Sequence, residues 1–192
     1  VPAEGSPDAQ SAGGAAAMLD DRLMERFGIG RVFGMHNMPG LPVGQFAIRP
    51  GGIMAATDFF DITIEGRGAH ASMPQMSCDP VYIGCQLGVA LQSIVARNVD
   101  PLESAVVSLT VFNGSNAKNV IPNSVRLGGT VRTFSSAVQE HVISRIETML
   151  QALEAQHGAR ITLDYQRLCP LTVNSAAETA LATACKRAQD CG

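Results

Sequence analysis

The sequence predicts an α+β fold: a four-stranded antiparallel sheet carrying two helices in the ferredoxin-like order βαββαβ, flanked on both sides by partial α/β pieces. Three observations predict it. Between Thr57 and Gln166 the apolar period switches between two and about three and a half, in the order strand, helix, strand, strand, helix, strand. Hydrophobic residues make up 46% of the 192 residues and charged residues 16%, which supplies a core and argues against disorder. On either side of this unit, glycine, proline and alanine break the pattern into isolated apolar stretches. Residues 1–53 and 167–192 are therefore expected to be pieces of another domain, and 54–166 a domain of its own.

The first helix is expected from Ala15, Met18, Leu19, Leu23 and Phe27, which recur at helical steps until Gly28 and Gly30 end it. Two short strands follow, RVFGMH over 31–36 and QFAIRP over 45–50, around the loop NMPGLPVG. From Thr57 to Glu65 the pattern alternates, with Phe60, Ile62 and Ile64 on one face. Asp79 and Pro80 are N-cap and first-turn residues of a helix running to about Asn98, with Leu87, Leu91, Ile94 and Val95 inward. Ser104 to Asn113 is a second strand, with Ala105, Val107, Leu109 and Val111 on one face, and Val125 to Phe134 a third. Ser136 opens the second helix, with Gln139 as its capping-box partner and Gly158 as its stop. Val138, Val142, Ile146, Met149 and Leu153 form its inward stripe, and Arg160 to Gln166 is the fourth strand. The ferredoxin-like strand order is 4-1-3-2 with both helices on one face. Helical pattern resumes from Asn174.

A net charge of −3 gives no reason to expect a nucleic-acid or anionic-membrane partner. No apolar run reaches the roughly 18 residues of a membrane span. The stretch VPAEGSPDAQSAGG lacks the basic start and apolar core of a signal peptide. Five cysteines without a CxxC pair suggest free thiols, and a cytoplasmic setting is expected.

Six residues could carry chemistry. His36 ends a strand before a loop, where ligands bind in α/β sheets and where imidazole could hold a metal. His70 lies in GRGAHASMP, after glycines that allow a sharp turn. Asn119 sits in the long connection AKNVIPN, and Arg132 in GTVRTF could fork a carboxylate. His141 and His157 lie on the second helix. Spacing alone favours a structural or surface role for the four histidines; Asn119 reads as a binding-loop residue, and Arg132 is either an exposed strand charge or that carboxylate fork.

Taken together, VFGMHNMPGLPVG, GRGAHASMP, NVDPLESAVVS, NVIPN and GTVRTF, in this order, resemble the metal-dependent amidohydrolases of the aminoacylase–carboxypeptidase G superfamily, the hippurate hydrolases and indole-acetyl-amino-acid hydrolases above all. The resemblance implies a catalytic α/β domain with two metals, zinc or manganese, and an inserted ferredoxin-like lid and dimerisation domain. It implies that His36 is a metal ligand and that His70 reaches the partner subunit's active site to polarise the scissile carbonyl. Asn119 and Arg132 would hold a small N-acyl amino acid substrate.

The sequence also departs from that pattern. The family's adjacent glutamates align either with Glu4-Gly5 or with Ala9-Gln10, and Asp8 is the other nearby candidate, so the pair is not intact. The other metal-ligand motifs are missing. The isolated chain is therefore expected to be inactive and to hold no metal stably. A homodimer is expected through the edge strand 104–113 and the helix 80–98. The alternative is a stand-alone ferredoxin-like module binding a small ligand or a protein.

Overall fold

The computed structural model describes residues 14–189. In chain order the elements are α1 (Gly14–Asp20), α2 (Leu23–Phe27), β1 (Gly51–Met54), β2 (Ala56–Glu65), β3 (Ala69–His70) and α3 (Pro80–Ser93). Then follow β4 (Ala105–Asn113), β5 (Val120–Ile121), β6 (Ser124–Thr133), α4 (Ser136–His157), β7 (Arg160–Cys169), β8 (Thr172–Asn174) and α5 (Ala176–Gln189). The described residues fall into two compact units: 56–170, and the two segments on either side of it.

In the first unit the sheet order is β4-β6-β2-β7, which is the expected 4-1-3-2, and every pairing is antiparallel. β2 lies at the centre and alternates strictly, with Ala56, Asp58, Phe60, Ile62 and Ile64 buried. Ile62 pairs with Leu127 on one side and Leu163 on the other. α3 and α4 cover this face with Ile83, Leu87, Leu91, Val142, Ile146 and Leu150. Burying each such side chain stabilises by roughly 1.5–3 kcal/mol. Asp79 Oδ1 accepts from the Val81 N–H at 2.9 Å, Pro80 fills the first turn, and Gly158 ends α4 at φ 68°.

Three details differ from expectation. α4 is capped by Ser135, not Ser136, and the Gln139 amide does not close a capping box but donates to Asp58 Oδ2 at 2.7 Å. α3 stays α-helical only to Ser93; Ile94–Asn98 continue as a wider π turn. β4 carries a bulge at Thr110, because Leu109 faces Gly129 while Val111 faces Gly128. The extra residue turns Val111 to the open face and brings Phe112 against Gly84 on the helix face. The adjacent glycines of β6 make room for this. A Cβ on Gly129 would lie 2.1 Å from the Ser108 carbonyl oxygen and 2.5 Å from the Phe60 ring.

In the second unit β1 pairs antiparallel with β8, and the Asn174 amide donates to the Arg49 carbonyl at 3.0 Å. The Ser175 hydroxyl and the Arg31 guanidinium both bind the Glu178 carboxylate. Those bonds, the serine's first, hold its pKa below the usual carboxylate value. The helix expected over 15–27 is two helices, because Arg22 takes a left-handed φ of 60° between them. The strands expected over 31–36 and 45–50 are not strands. A strand needs a neighbour for its N–H and C=O groups, and no described strand runs beside either segment. Among the described residues this unit buries no apolar side chain, and Val32, Phe33, Met35 and Val43 are exposed.

Candidate functional site

His70 is built into a clasp. β2 ends at Glu65, and the chain turns back so that Arg67 exchanges two backbone hydrogen bonds with Cys78, at 2.9 and 3.0 Å. Residues 69–70 then pair antiparallel with 121–120, and the Ala71 N–H donates to the Asn119 carbonyl at 3.0 Å. Asn123 closes the clasp: its carbonyl accepts from the Gly66 N–H at 2.8 Å and its Oδ1 from the Gly68 N–H at 2.9 Å. The two glycines are demanded by close approach. A Cβ on Gly66 would lie 2.1 Å from the Cys78 carbonyl oxygen, and one on Gly68 2.6 Å from that of Ile121.

The clasp presents an exposed imidazole. Ser72 places its N–H 3.2 Å and its Oγ 2.7 Å from His70 Nδ1, while the Met73 N–H closes the turn on the His70 carbonyl at 2.8 Å. Nε2 makes no hydrogen bond among the described residues. Asn119 is brought next to His70 through its backbone, and its side chain is left exposed and unpaired among the described residues.

Arg132 is elsewhere. It lies on the open face of β6 opposite Thr57, at the start of β2, whereas the His70 clasp follows the end of β2. Eight residues of strand separate the two levels, roughly 26 Å at strand rise. Its guanidinium donates to the carbonyls of Val131 at 3.0 Å and Asp58 at 3.4 Å, and to the Thr130 hydroxyl. No described carboxylate pairs with it, although Asp100 and Glu103 line the same groove of about 430 Å³, with Val95, Val106 and Phe134.

His36 belongs to the second unit, in irregular backbone, with Nδ1 2.6 Å from the carbonyl of Asn37. A metal needs three or four donors, and no group of three His, Cys, Asp or Glu side chains able to hold one occurs among the described residues. They do not supply a metal site. Glu4, Asp8 and Gln10, the other candidates, lie outside the described residues, as does Cys191.

Residues 58–158 match the peptidase dimerisation domain of the M20 family, more than half of the chain. The chain belongs to the M20 peptidase family. It is 38% identical over 175 residues to an N-acetyl-L-cysteine deacetylase of Bacillus subtilis, covering 91% of this chain and 42% of that one. It is 37% identical over 169 residues to a hippurate hydrolase of Campylobacter jejuni, covering 88% and 44%. A crystal structure from methicillin-resistant Staphylococcus aureus, described as an aminohydrolase, superposes with a TM-score of 0.82 at 31% identity, covering 95% of this chain and 46% of that one. An M20 peptidase of Bacillus subtilis described as binding a dinuclear metal superposes with a TM-score of 0.73 at 28% identity, over 98% and 45%. The chain thus spans less than half the length of the relatives it matches.

Within this M20 dimerisation domain, sequence patterning missed Asn123 and Ser72, the two residues that hold the histidine turn. Both stand inside quoted motifs, but nothing local says that an asparagine at 123 reaches a glycine at 68. It also missed Asp58, which is fully buried and accepts from Gln139 and from the Tyr165 hydroxyl at 2.6 Å. No described helix of the chain is long and apolar enough to cross a membrane.

Proposed function

We propose that this chain is the lid and dimerisation portion of a cytoplasmic, metal-dependent amidohydrolase that cleaves N-acyl amino acids, with residues 1–53 and 167–192 belonging to its catalytic domain. In this proposal His36 contributes to a two-metal site of zinc or manganese completed elsewhere in the polypeptide. His70 polarises the scissile carbonyl, and Asn119 and Arg132 hold the substrate.

The observation that carries the proposal is the placement of Arg132 at one end of the four-stranded sheet and of the His70 clasp, a separate two-stranded pairing, past its other end. Within one chain they cannot share a substrate of amino-acid size. A two-fold dimer through β4 changes this. Antiparallel pairing of two β4 strands lays the start of one beside the end of the other. Arg132 lies opposite Val106 at the start of β4, and the connection carrying Asn119 leaves the end of β4. The partner's clasp then comes to the Arg132 end. Each site would be built from two chains, assembled through strand 104–113 and helix 80–98.

Subunit complementation in the full-length enzyme tests this. His70→Gln and Arg132→Gln homodimers are each expected to lose hippurate hydrolysis. Mixed after dissociation, they should regain about a quarter of wild-type activity, since half the dimers are hybrid and one of their two sites is intact. A mixture as inactive as its parents would show that both residues act within one chain.

A further inference from the structure

We infer that Ser72 is a positioning residue which fixes the His70 imidazole as the Nε2–H tautomer, making it a hydrogen-bond donor rather than a proton acceptor. The inference rests on the role of His70 proposed above and adds to it the direction in which the imidazole acts. Ser72 sets two donors on His70 Nδ1, which together hold the ring; the one whose direction is unambiguous is its backbone N–H, at 3.2 Å. A backbone N–H can only donate, so Nδ1 must offer its lone pair and carries no proton. The Ser72 hydroxyl, 2.7 Å from the same nitrogen, then has only one role open to it and also donates. A proton on Nδ1 would face two donors. The neutral ring is left with its proton on Nε2, the nitrogen without a partner among the described residues.

The turn enforces this geometry. The Met73 N–H binds the His70 carbonyl at 2.8 Å and the Ala71 N–H binds Asn119, which orients the Ser72 N–H back toward the ring. The arrangement is the histidine counterpart of an Asx-turn, in which a side-chain acceptor takes the N–H two residues on. An Nε2–H held outward suits a carbonyl oxygen that gains negative charge in the transition state. It does not suit a general base, which would need a lone pair at that nitrogen.

The test reads the ring directly and does not depend on turnover. The 192-residue chain is labelled with 15N-histidine, and long-range proton–nitrogen spectra are recorded for the wild type and for Ser72→Ala and Ser72→Thr, with His70→Gln assigning the resonance among four histidines. The wild type should show an unprotonated Nδ1 and a protonated Nε2 for His70 while the ring is neutral. Ser72→Ala, which keeps the N–H but loses the hydroxyl, should move the Nδ1 resonance toward the value of exchanging tautomers. Ser72→Thr should restore it, and the other three histidines should not move in either variant. A protonated Nδ1 in the wild type, or ring resonances in Ser72→Ala identical to the wild type, overturns the inference. Failed subunit complementation with the expected ring signals would instead count against the two-chain site alone.

Discussion

At the scale of single residues, the buried carboxylate of Asp58 ties three elements together. It sits on β2, takes the Gln139 amide from α4 and the Tyr165 hydroxyl from β7, and leaves Oδ1 buried without a partner among the described residues. Its position was legible, since Asp58 has the same parity as Phe60 and Ile62 and must point inward. Its partners were not, because they come from 81 and 107 residues away. Burial first, and then the bond to Asp58, raise the pKa of the Tyr165 hydroxyl above its ordinary value. The folded chain therefore keeps the tyrosine proton at a pH where the unfolded chain, with an ordinary value near 10, releases it. This contribution is complete below about pH 10 and lost as pH rises further. Tyr165→Phe is expected to cost about 1–2 kcal/mol at pH 7. Its deficit should shrink above pH 10, as urea midpoints at the two pH values would show. A deficit that grows with pH would contradict the assignment.

At the scale of elements, what could be read from the pattern depended on whether an element finds its neighbours within the unit. The four long strands and α3 and α4 do, and their periodicity matched their burial except in β4 beyond Thr110. Residues 31–36 and 45–50 have strand-like composition but no adjacent strand among the described residues, so composition misled there. The bulge at Thr110 was illegible for another reason: its cause is the Gly128–Gly129 pair on the neighbouring strand. It alters the faces of β4 but not its status as an edge, and Thr110, the residue left out of the β6 register, tolerates a test. If the chain dimerises as proposed, Ser108→Lys with Thr110→Pro should leave the fold intact and convert a parental dimer to a monomer in sedimentation. A double variant that sediments as the parental dimer would place the interface elsewhere.

At the scale of the whole molecule, stability is unevenly distributed. Every buried apolar side chain among the described residues lies between Ala56 and Ile161. A polypeptide of residues 56–170 should therefore fold alone and unfold at the same denaturant midpoint as the whole chain. A midpoint markedly lower would mean that the flanking segments contribute to the core. Catalysis should follow the opposite division. The described residues offer no three-donor metal site, so the 192-residue chain should not hydrolyse hippurate with zinc or manganese added. Metal-dependent turnover by the purified chain would contradict this.

The clasp around His70 also has a consequence for sequence variation. Gly68 gives its N–H to Asn123 and has no room for a side chain beneath Ile121, so positions 68, 121 and 123 form one unit of change although 55 residues separate its ends. A drifting sequence could replace the histidine and keep the loop. It could not enlarge position 68 and keep the histidine where it is, unless 121–123 changed with it. In a collection of relatives, covariation between these two distant stretches should be stronger than between either and its own neighbours, and the histidine should disappear wherever that pairing has been lost.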